Sequence, residues 1–217
     1  MLSIISFTLG PVQTNTYLIA DAGTGEAVVI DPAERGDLIV GEAEKHGWRI
    51  GSIWLTHAHF DHIAGAASVA DRCAPPPPVA LHPADYGLWR VQGGAPLFGL
   101  HIDPGPEPTI DLVHGQIFYL GSNQIEVRHA PGHTQGHVLF YCPADNVLFC
   151  GDVIFDGGIG RTDLPGGDFE TLIASICSQV LTLPDATRLL SGHGSETTVG
   201  EERRSNPFVI NYINKRC

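Results

Sequence analysis

Three histidines and an aspartate fall within the six residues His57-Ala58-His59-Phe60-Asp61-His62, directly after the apolar run Ile53-Trp54-Leu55. Imidazole nitrogens and carboxylate oxygens are the ligand set for zinc and related first-row ions. His57 and His59 are two apart, so in an extended segment they point to the same side. Asp61 and His62 come where the chain should turn into a helix, and they can face the same cavity from another direction. The arrangement points to two adjacent metal positions. The pattern is expected by chance only ~0.002 times in a chain of this composition, so coincidence is a poor explanation.

Three further motifs repeat the theme. His133 lies in His129-Ala130-Pro131-Gly132-His133, Asp152 in Cys150-Gly151-Asp152, and His193 in Ser191-Gly192-His193-Gly194. Each follows an apolar stretch with strand character and sits beside glycine. Loops at strand ends are held rigid by the sheet, and glycine lets the backbone pass close to an ion. A lone histidine after a strand is best read as structural; His133, Asp152 and His193 together with the first motif read as metal ligands. His137, four residues after His133, is a candidate for orienting a ligand. Cys150 is read as a buried structural thiol. His129 is expected to be exposed, and His46, His82, His101 and His114 to be surface or hydrogen-bonded.

The elements that must hold these residues follow from periodicity and turn chemistry. Strands are expected over 2–8, 15–20, 27–30 and 51–56, with a helix over 36–47 packing through Leu38, Ile39 and Ala43. A helix over 62–72 packs through Ile63, Ala66, Ala67 and Ala70. A short strand over 79–82 precedes a helix start at Pro83. Residues 93–108 have no periodicity and read as a surface loop able to overhang the site, with Tyr86, Trp89 and Phe98 near the opening or anchoring that loop. Strands over 109–113, 116–120, 123–130, 137–142 and 146–151 come next, then a glycine-rich loop over 153–167. A helix over 168–181 packs through Phe169, Leu172, Ile173 and Ile176, a strand over 187–190 follows, and a terminal helix starts after Asn206-Pro207. Strands then helix recur in both halves.

The bulk properties narrow the function. With 217 residues, 43% apolar and 17% charged, the chain can bury a substantial core. A net charge of −12 argues against a nucleic-acid backbone partner. The start of the chain has no basic residue ahead of its apolar part, and no stretch of about 20 apolar residues exists, so neither a signal peptide nor a membrane span is expected. The five cysteines, Cys73, Cys142, Cys150, Cys177 and Cys217, are scattered without CxxC spacing, which suits reduced thiols and a cytoplasmic setting.

The set HxHxDH, then His133, Asp152 and His193, resembles the metallo-β-lactamase-fold hydrolases, and is most similar to their glyoxalase II (hydroxyacylglutathione hydrolase) branch. Asn15-Thr16-Tyr17-Leu18, Val29-Ile30-Asp31-Pro32, Gly132-His133-Thr134, Gly160-Arg161-Thr162-Asp163 and Asn206-Pro207 extend the likeness over nearly the whole chain. The resemblance implies a four-layer αββα sandwich, one such domain over 1–217, with the site at one edge of the sheets. It implies that His57, His59 and His133 bind a first metal, that Asp61, His62 and His193 bind a second, and that Asp152 bridges them. Only 24 residues, 194–217, follow His193, so the likeness is to the short bacterial form without a C-terminal helical domain.

Such a site has a definite chemistry. Two divalent ions, zinc or else iron or manganese, share a water and lower its pKa, and the hydroxide attacks a polarised carbonyl. Asp61 aims that nucleophile. A thiolate, whose conjugate acid has a pKa of ~8.5, leaves without a dedicated acid, whereas an amide needs more help. The expected activity is therefore hydrolysis of a small thioester such as S-D-lactoylglutathione or a related S-acyl glutathione. Arg161 is a candidate to grip a substrate carboxylate, or else to pair with Asp163 or Asp168. The alternatives are a mononuclear-iron persulfide dioxygenase, a nuclease-type phosphodiesterase and a non-catalytic scaffold. Acidity counts against the phosphodiesterase, and the cost of burying unpaired His and Asp counts against the scaffold.

Overall fold

The computed structural model describes residues 2–216. Its first sheet runs in sequence order: β1 (Leu2–Leu9), β2 (Thr14–Asp21), β3 (Glu26–Ile30), β4 (Arg49–Trp54), β5 (Val79–Leu81) and β6 (Ile110–Asp111). The first three strands pair antiparallel and the last three join in parallel. The second sheet holds β7 (Ile117–Leu120), β8 (Asn123–His129), β9 (Val138–Cys142) and β10 (Val147–Gly151). A small hairpin of β11 (Ile154–Phe155) and β12 (Gly158–Ile159) follows, and β13 (Arg188–Ser191) and β14 (Thr197–Thr198) return to the second sheet, whose order is β14-β13-β10-β9-β8-β7.

Continuous apolar runs explain the central strands. Every residue of β9, Val-Leu-Phe-Tyr-Cys, and of β10, Val-Leu-Phe-Cys-Gly, is buried, as strands covered on both faces require. One face of each sheet meets the other: Tyr17, Ile19, Ile30 and Trp54 of the first pack against Ile125, Phe140, Phe149 and Leu190 of the second. The outer face of the first sheet is covered by α1 (Gly36–Lys45), α2 (Phe60–Ile63) and α3 (Ala66–Ala70). A further short helix, α4 (Tyr86–Arg90), precedes the overhanging segment. The outer face of the second sheet is covered by α5 (Phe169–Ser175), which continues as a wider π turn over Ile176–Val180, with α6 (Val199–Ser205) and α7 (Pro207–Arg216) at its end. Three apolar layers between four layers of structure give the αββα sandwich.

Several expectations need correction. Helix α1 packs through Ile39, Val40 and Ala43, and Leu38 faces water. The helix expected over 62–72 is two short ones, broken where Gly65 donates to the Pro32 carbonyl at 2.7 Å. Val69, not Ala67, completes its packing face. Phe169, at the first position of α5, is exposed, while Leu172, Ile173 and Ile176 fill the core. The span 93–108 is not structureless. A 3-10 stretch covers Gln92–Phe98, interrupted because Gln92, Gly93 and Gly94 all have positive φ, which no periodic pattern announces. The glycine-rich loop hides the β11–β12 hairpin, and α6 lies ahead of the expected terminal helix.

Candidate metal centre

The parallel connections bring the C-terminal ends of β3, β4, β10 and β13 to one edge of the sandwich, and the loop after β8 joins them. The predicted ligands sit just past four of these five ends. Ring nitrogens of His57, His59 and His133 all lie within 4.8 Å of one another, and so do ligand atoms of Asp61, His62 and His193. Asp152 reaches both groups: its Oδ1 is 3.3 Å from His62 Nε2, and its Oδ2 is 3.6 Å from His133 Nε2 and 3.5 Å from His193 Nε2. His193 Nε2 is also 3.2 Å from Asp61 Oδ2. All seven predicted residues therefore converge.

Three of the rings are aimed by a partner behind them, and His59 Nδ1 lies 2.8 Å from His133 Nε2 within the cluster. His57 Nδ1 sits 3.0 Å from Thr56 Oγ1, which donates to Asp31 Oδ2 at 2.6 Å. His62 Nδ1 lies 2.8 Å from the same Asp31 oxygen, and His133 Nδ1 2.8 Å from the Arg161 carbonyl. These acceptors place a ring proton on Nδ1 and turn Nε2 of each of these three rings towards the centre. Asp31 itself is fixed by the Thr56 amide at 2.7 Å. His137 accepts the Asp152 amide at 3.0 Å and stacks on His57 with ring centroids 4.7 Å apart, so it holds Asp152 through the main chain. Thr14 Oγ1 donates to Asp61 Oδ2 at 2.9 Å. Asn15 and Tyr17 of β2 grip the Ser191 carbonyl at 3.0 and 2.7 Å and so position the His193 loop.

A second buried carboxylate supports the floor. Asp85 accepts the Ala58 amide at 3.1 Å, Thr134 Oγ1 at 2.8 Å and the Gly136 amide at 2.7 Å. Burial pushes its pKa up against the pull of these donors. Asp31, Asp85 and the Arg161 carbonyl are supports that sequence reasoning missed. Asp31-Pro32 was legible as part of the family likeness, but not as a support for the histidines.

The electrostatics call for cations. Burial, and then the neighbouring imidazoles, hold His57 well below its ordinary pKa, and burial with His133 brings His59 to about 3. Burial opposes charge on His62 and His193 too, but the surrounding carboxylates outweigh it, raising His62 well above its ordinary value and His193 to about 9. Burial likewise opposes the charge of Asp61, yet His62, His193 and Thr14 hold it down at about 2. Left to itself, the cluster supplies its own positive charge to balance its carboxylates. Among the described residues, His57 Nε2, His62 Nε2 and Asp152 Oδ1 are buried without a hydrogen-bond partner. Polar atoms left bare in the interior are costly. Nitrogen and oxygen donors of this kind, gathered at this spacing, fit divalent first-row ions.

Residues 9–193 match the family model described as the metallo-beta-lactamase superfamily. The chain belongs to that superfamily. Within it, the chain is 36% identical over 205 residues to the hydroxyacylglutathione hydrolase GloC of Haemophilus influenzae, covering 91% of this chain and 93% of that one. The crystal structure of the BLEG-1 B3 metallo-beta-lactamase superposes with a TM-score of 0.87 at 37% identity, covering 96% and 99%. That of TTHA1623 in a di-iron-bound form gives 0.84 at 41%, covering 94% and 99%. The chain is a metal-dependent hydrolase of the metallo-beta-lactamase superfamily.

The other sequence candidates resolve individually. Arg161 is half exposed at the rim of the centre and makes a bidentate pair with Asp163 at 2.8 and 2.7 Å. His129 is half-buried rather than exposed; its Nε2 meets the Gln135 carbonyl at 2.9 Å and its ring stacks on His82 at 4.2 Å. Cys150 is fully buried, bonded to the Leu148 carbonyl, and burial pushes its thiol up. Cys217 lies outside the described residues. Tyr86 and Trp89 anchor the overhanging segment, to Asp111 and to the Pro104 carbonyl, while Phe98 lines the opening. No helix of the described residues is long and apolar enough to cross a membrane.

Proposed function

We propose that the protein hydrolyses a small thioester, with S-D-lactoylglutathione and related S-acyl glutathiones as the first substrates to try. The observation that carries this reading is the meeting of two His/Asp triads with one carboxylate, Asp152, in reach of both. In it, His57, His59 and His133 hold one divalent ion, Asp61, His62 and His193 hold the other, and Asp152 lies between. Bound there, zinc, iron or manganese supplies the Lewis acidity that polarises a carbonyl and acidifies water.

The chain's own groups do the rest. Asp61, ionised at neutral pH and fixed through Oδ2 by Thr14, takes the proton of the attacking water at its Oδ1. The water oxygen bonds to the carbonyl carbon, the carbon–sulfur bond breaks, and the electron pair leaves with sulfur. The departing thiolate needs no dedicated acid, since thiols ionise near pH ~8.5. That matches a pocket whose lining offers no tyrosine or lysine to a leaving group.

Elemental analysis of the purified protein combined with a thiol-release assay on S-D-lactoylglutathione tests the reading. The expected result is two ions per chain and metal-dependent thiol release. One competing activity has a specific basis: the His57/His59/His133 group by itself suits a single iron, as in a persulfide dioxygenase. One iron per chain with oxygen uptake and no thioester cleavage would replace the hydrolase reading with that one.

A further inference from the structure

The floor of the cavity above the metal cluster is polar, but its walls are not. A space of about 550 Å³ opens from His59, Asp61, His133, Asp152 and His193 towards solvent. Leu88, Val91, Leu97, Phe98, Val12 and Leu164 line it. Val91, Leu97 and Phe98 are 56%, 68% and 48% exposed. Large apolar side chains clustered at the rim of a concave site mark a surface that meets a ligand. Phe60, one residue from two of the metal-type side chains, continues this wall, with its ring 5.5 Å from that of Phe98.

The charge on the wall is as telling as its greasiness. Arg161 is the one Lys or Arg among the lining residues, and its guanidinium is already committed to Asp163. A glutathione moiety brings two carboxylates and an ammonium, so its charged groups would have to lie beyond this wall, and the wall itself suits an apolar group.

The wall is also built to stay in place. Gly93, at φ +62°, lays its backbone on the metal-bearing loop, so that a Cβ there would meet the Phe60 amide and, at 2.6 Å, the Ala58 carbonyl. Gln92 Oε1 accepts the Ile102 amide at 3.0 Å, and Trp89 Nε1 donates to the Pro104 carbonyl at 3.2 Å, tying the segment to the chain that follows.

We propose that residues 88–98 form an apolar specificity wall that takes an aliphatic or aromatic chain carried by the scissile thioester, so that the preferred substrates are apolar ones. This rests on the thioester-hydrolase reading above. A chain on the acyl side and a chain on the thiol side would satisfy the same wall, and the test separates them.

Two substrate series are assayed on the metal-loaded protein. In one, acetyl, butyryl, hexanoyl and octanoyl groups are carried on N-acetylcysteamine. In the other, the acyl group is acetyl and the thiol is lengthened from ethyl to octyl. A fully buried methylene is worth up to about fourfold, so a half-open wall should raise kcat/KM at least ~10-fold across one series. Leu97→Ser and Phe98→Ser should each shrink the long-to-short ratio at least ~3-fold, whereas Val113→Ser, on an exposed apolar residue elsewhere, should leave the ratio alone. Butanoate, hexanoate and octanoate binding, followed by calorimetry, gives a readout independent of turnover. Affinity that rises with chain length and falls in Leu97→Ser, in a protein that cleaves no thioester, would keep the wall and sink the reaction. Thioester cleavage with flat series and no chain-length dependence of carboxylate binding would keep the reaction and overturn the wall.

Discussion

The floor of the site and its mouth are built on opposite principles. On the floor, the backs of His57, His62 and His133 are each bonded to a fixed acceptor, and the amides and hydroxyls around them converge on two buried carboxylates, Asp31 and Asp85. At the mouth, Val91, Leu97 and Phe98 are largely exposed, and the segment that carries them is tied down through Gln92, Trp89 and Gly93. The floor holds a few atoms in place through directional bonds. The mouth supplies area, which tolerates variation. A side-chain change should therefore be severe on the floor and mild at the mouth.

The largest effect is expected from Asp152→Ala, which removes the carboxylate that faces Nε2 of His62, His133 and His193. Bound metal should fall below two ions per chain and kcat/KM by on the order of 10³-fold or more. Full activity in that variant, measured beside its metal content, would end the two-ion assignment. Asp31→Asn should follow, since Asp31 aims His62 directly and His57 through Thr56. Chelator competition should report a loss of roughly 10–100-fold in metal affinity, as for other groups that orient a ligand. Unchanged affinity would mean that the rings are aimed by packing alone.

Gly192→Ala tests the floor's tolerance of one carbon. A Cβ there would strike Asp152 Oδ1 and come 2.6 Å from His62 Cε1. Denaturant unfolding should show a loss of about 1–3 kcal/mol, together with reduced metal occupancy. A neutral result would show the floor to be softer than its hydrogen bonds imply.

The metal-free protein gives a smaller, graded test. His57, His59 and His137 have lowered pKa values, with burial the largest cause in each, so their folded forms stay neutral when unfolded imidazoles take up protons. Stability should then fall as pH drops from about 6.5 to 5, with ~1–3 protons bound on unfolding. His62 and His193 are shifted the other way. Their contribution is complete below about pH 6.5 and is lost only as pH rises, in the case of His193 through about 9, so they add no slope in the acid window. Unfolding curves that coincide at pH 5 and 6.5 would contradict the neutral state of these rings. The smallest effect is expected from Leu97→Ser, whose stability and metal content should stay within about 0.5 kcal/mol and experimental error of the parent. A large loss of either would erase the contrast between mouth and floor.

The same contrast explains what the sequence could disclose. Four ligands fall within six residues and the other three each follow a strand beside glycine, so chemistry and local pattern coincide. Strands such as β9 and β10 were legible because burial on both faces leaves unbroken apolar runs. The supports were not legible. Asp31 meets His62 across 31 positions and Asp85 meets Gly136 across 51, and nothing local in either aspartate marks its partner. Residues 92–94 take a left-handed path that follows from their fit against the metal loop, not from their own order of side chains.

Asp85 carries a consequence of its own. One carboxylate clasps the loop leaving the first sheet, through Ala58, and the loop leaving the second, through Thr134 and Gly136. The two sheets are thereby tied to each other at this edge by the polypeptide itself. A single side chain thus yokes the neighbours of His59 and His133 on opposite halves of the sandwich.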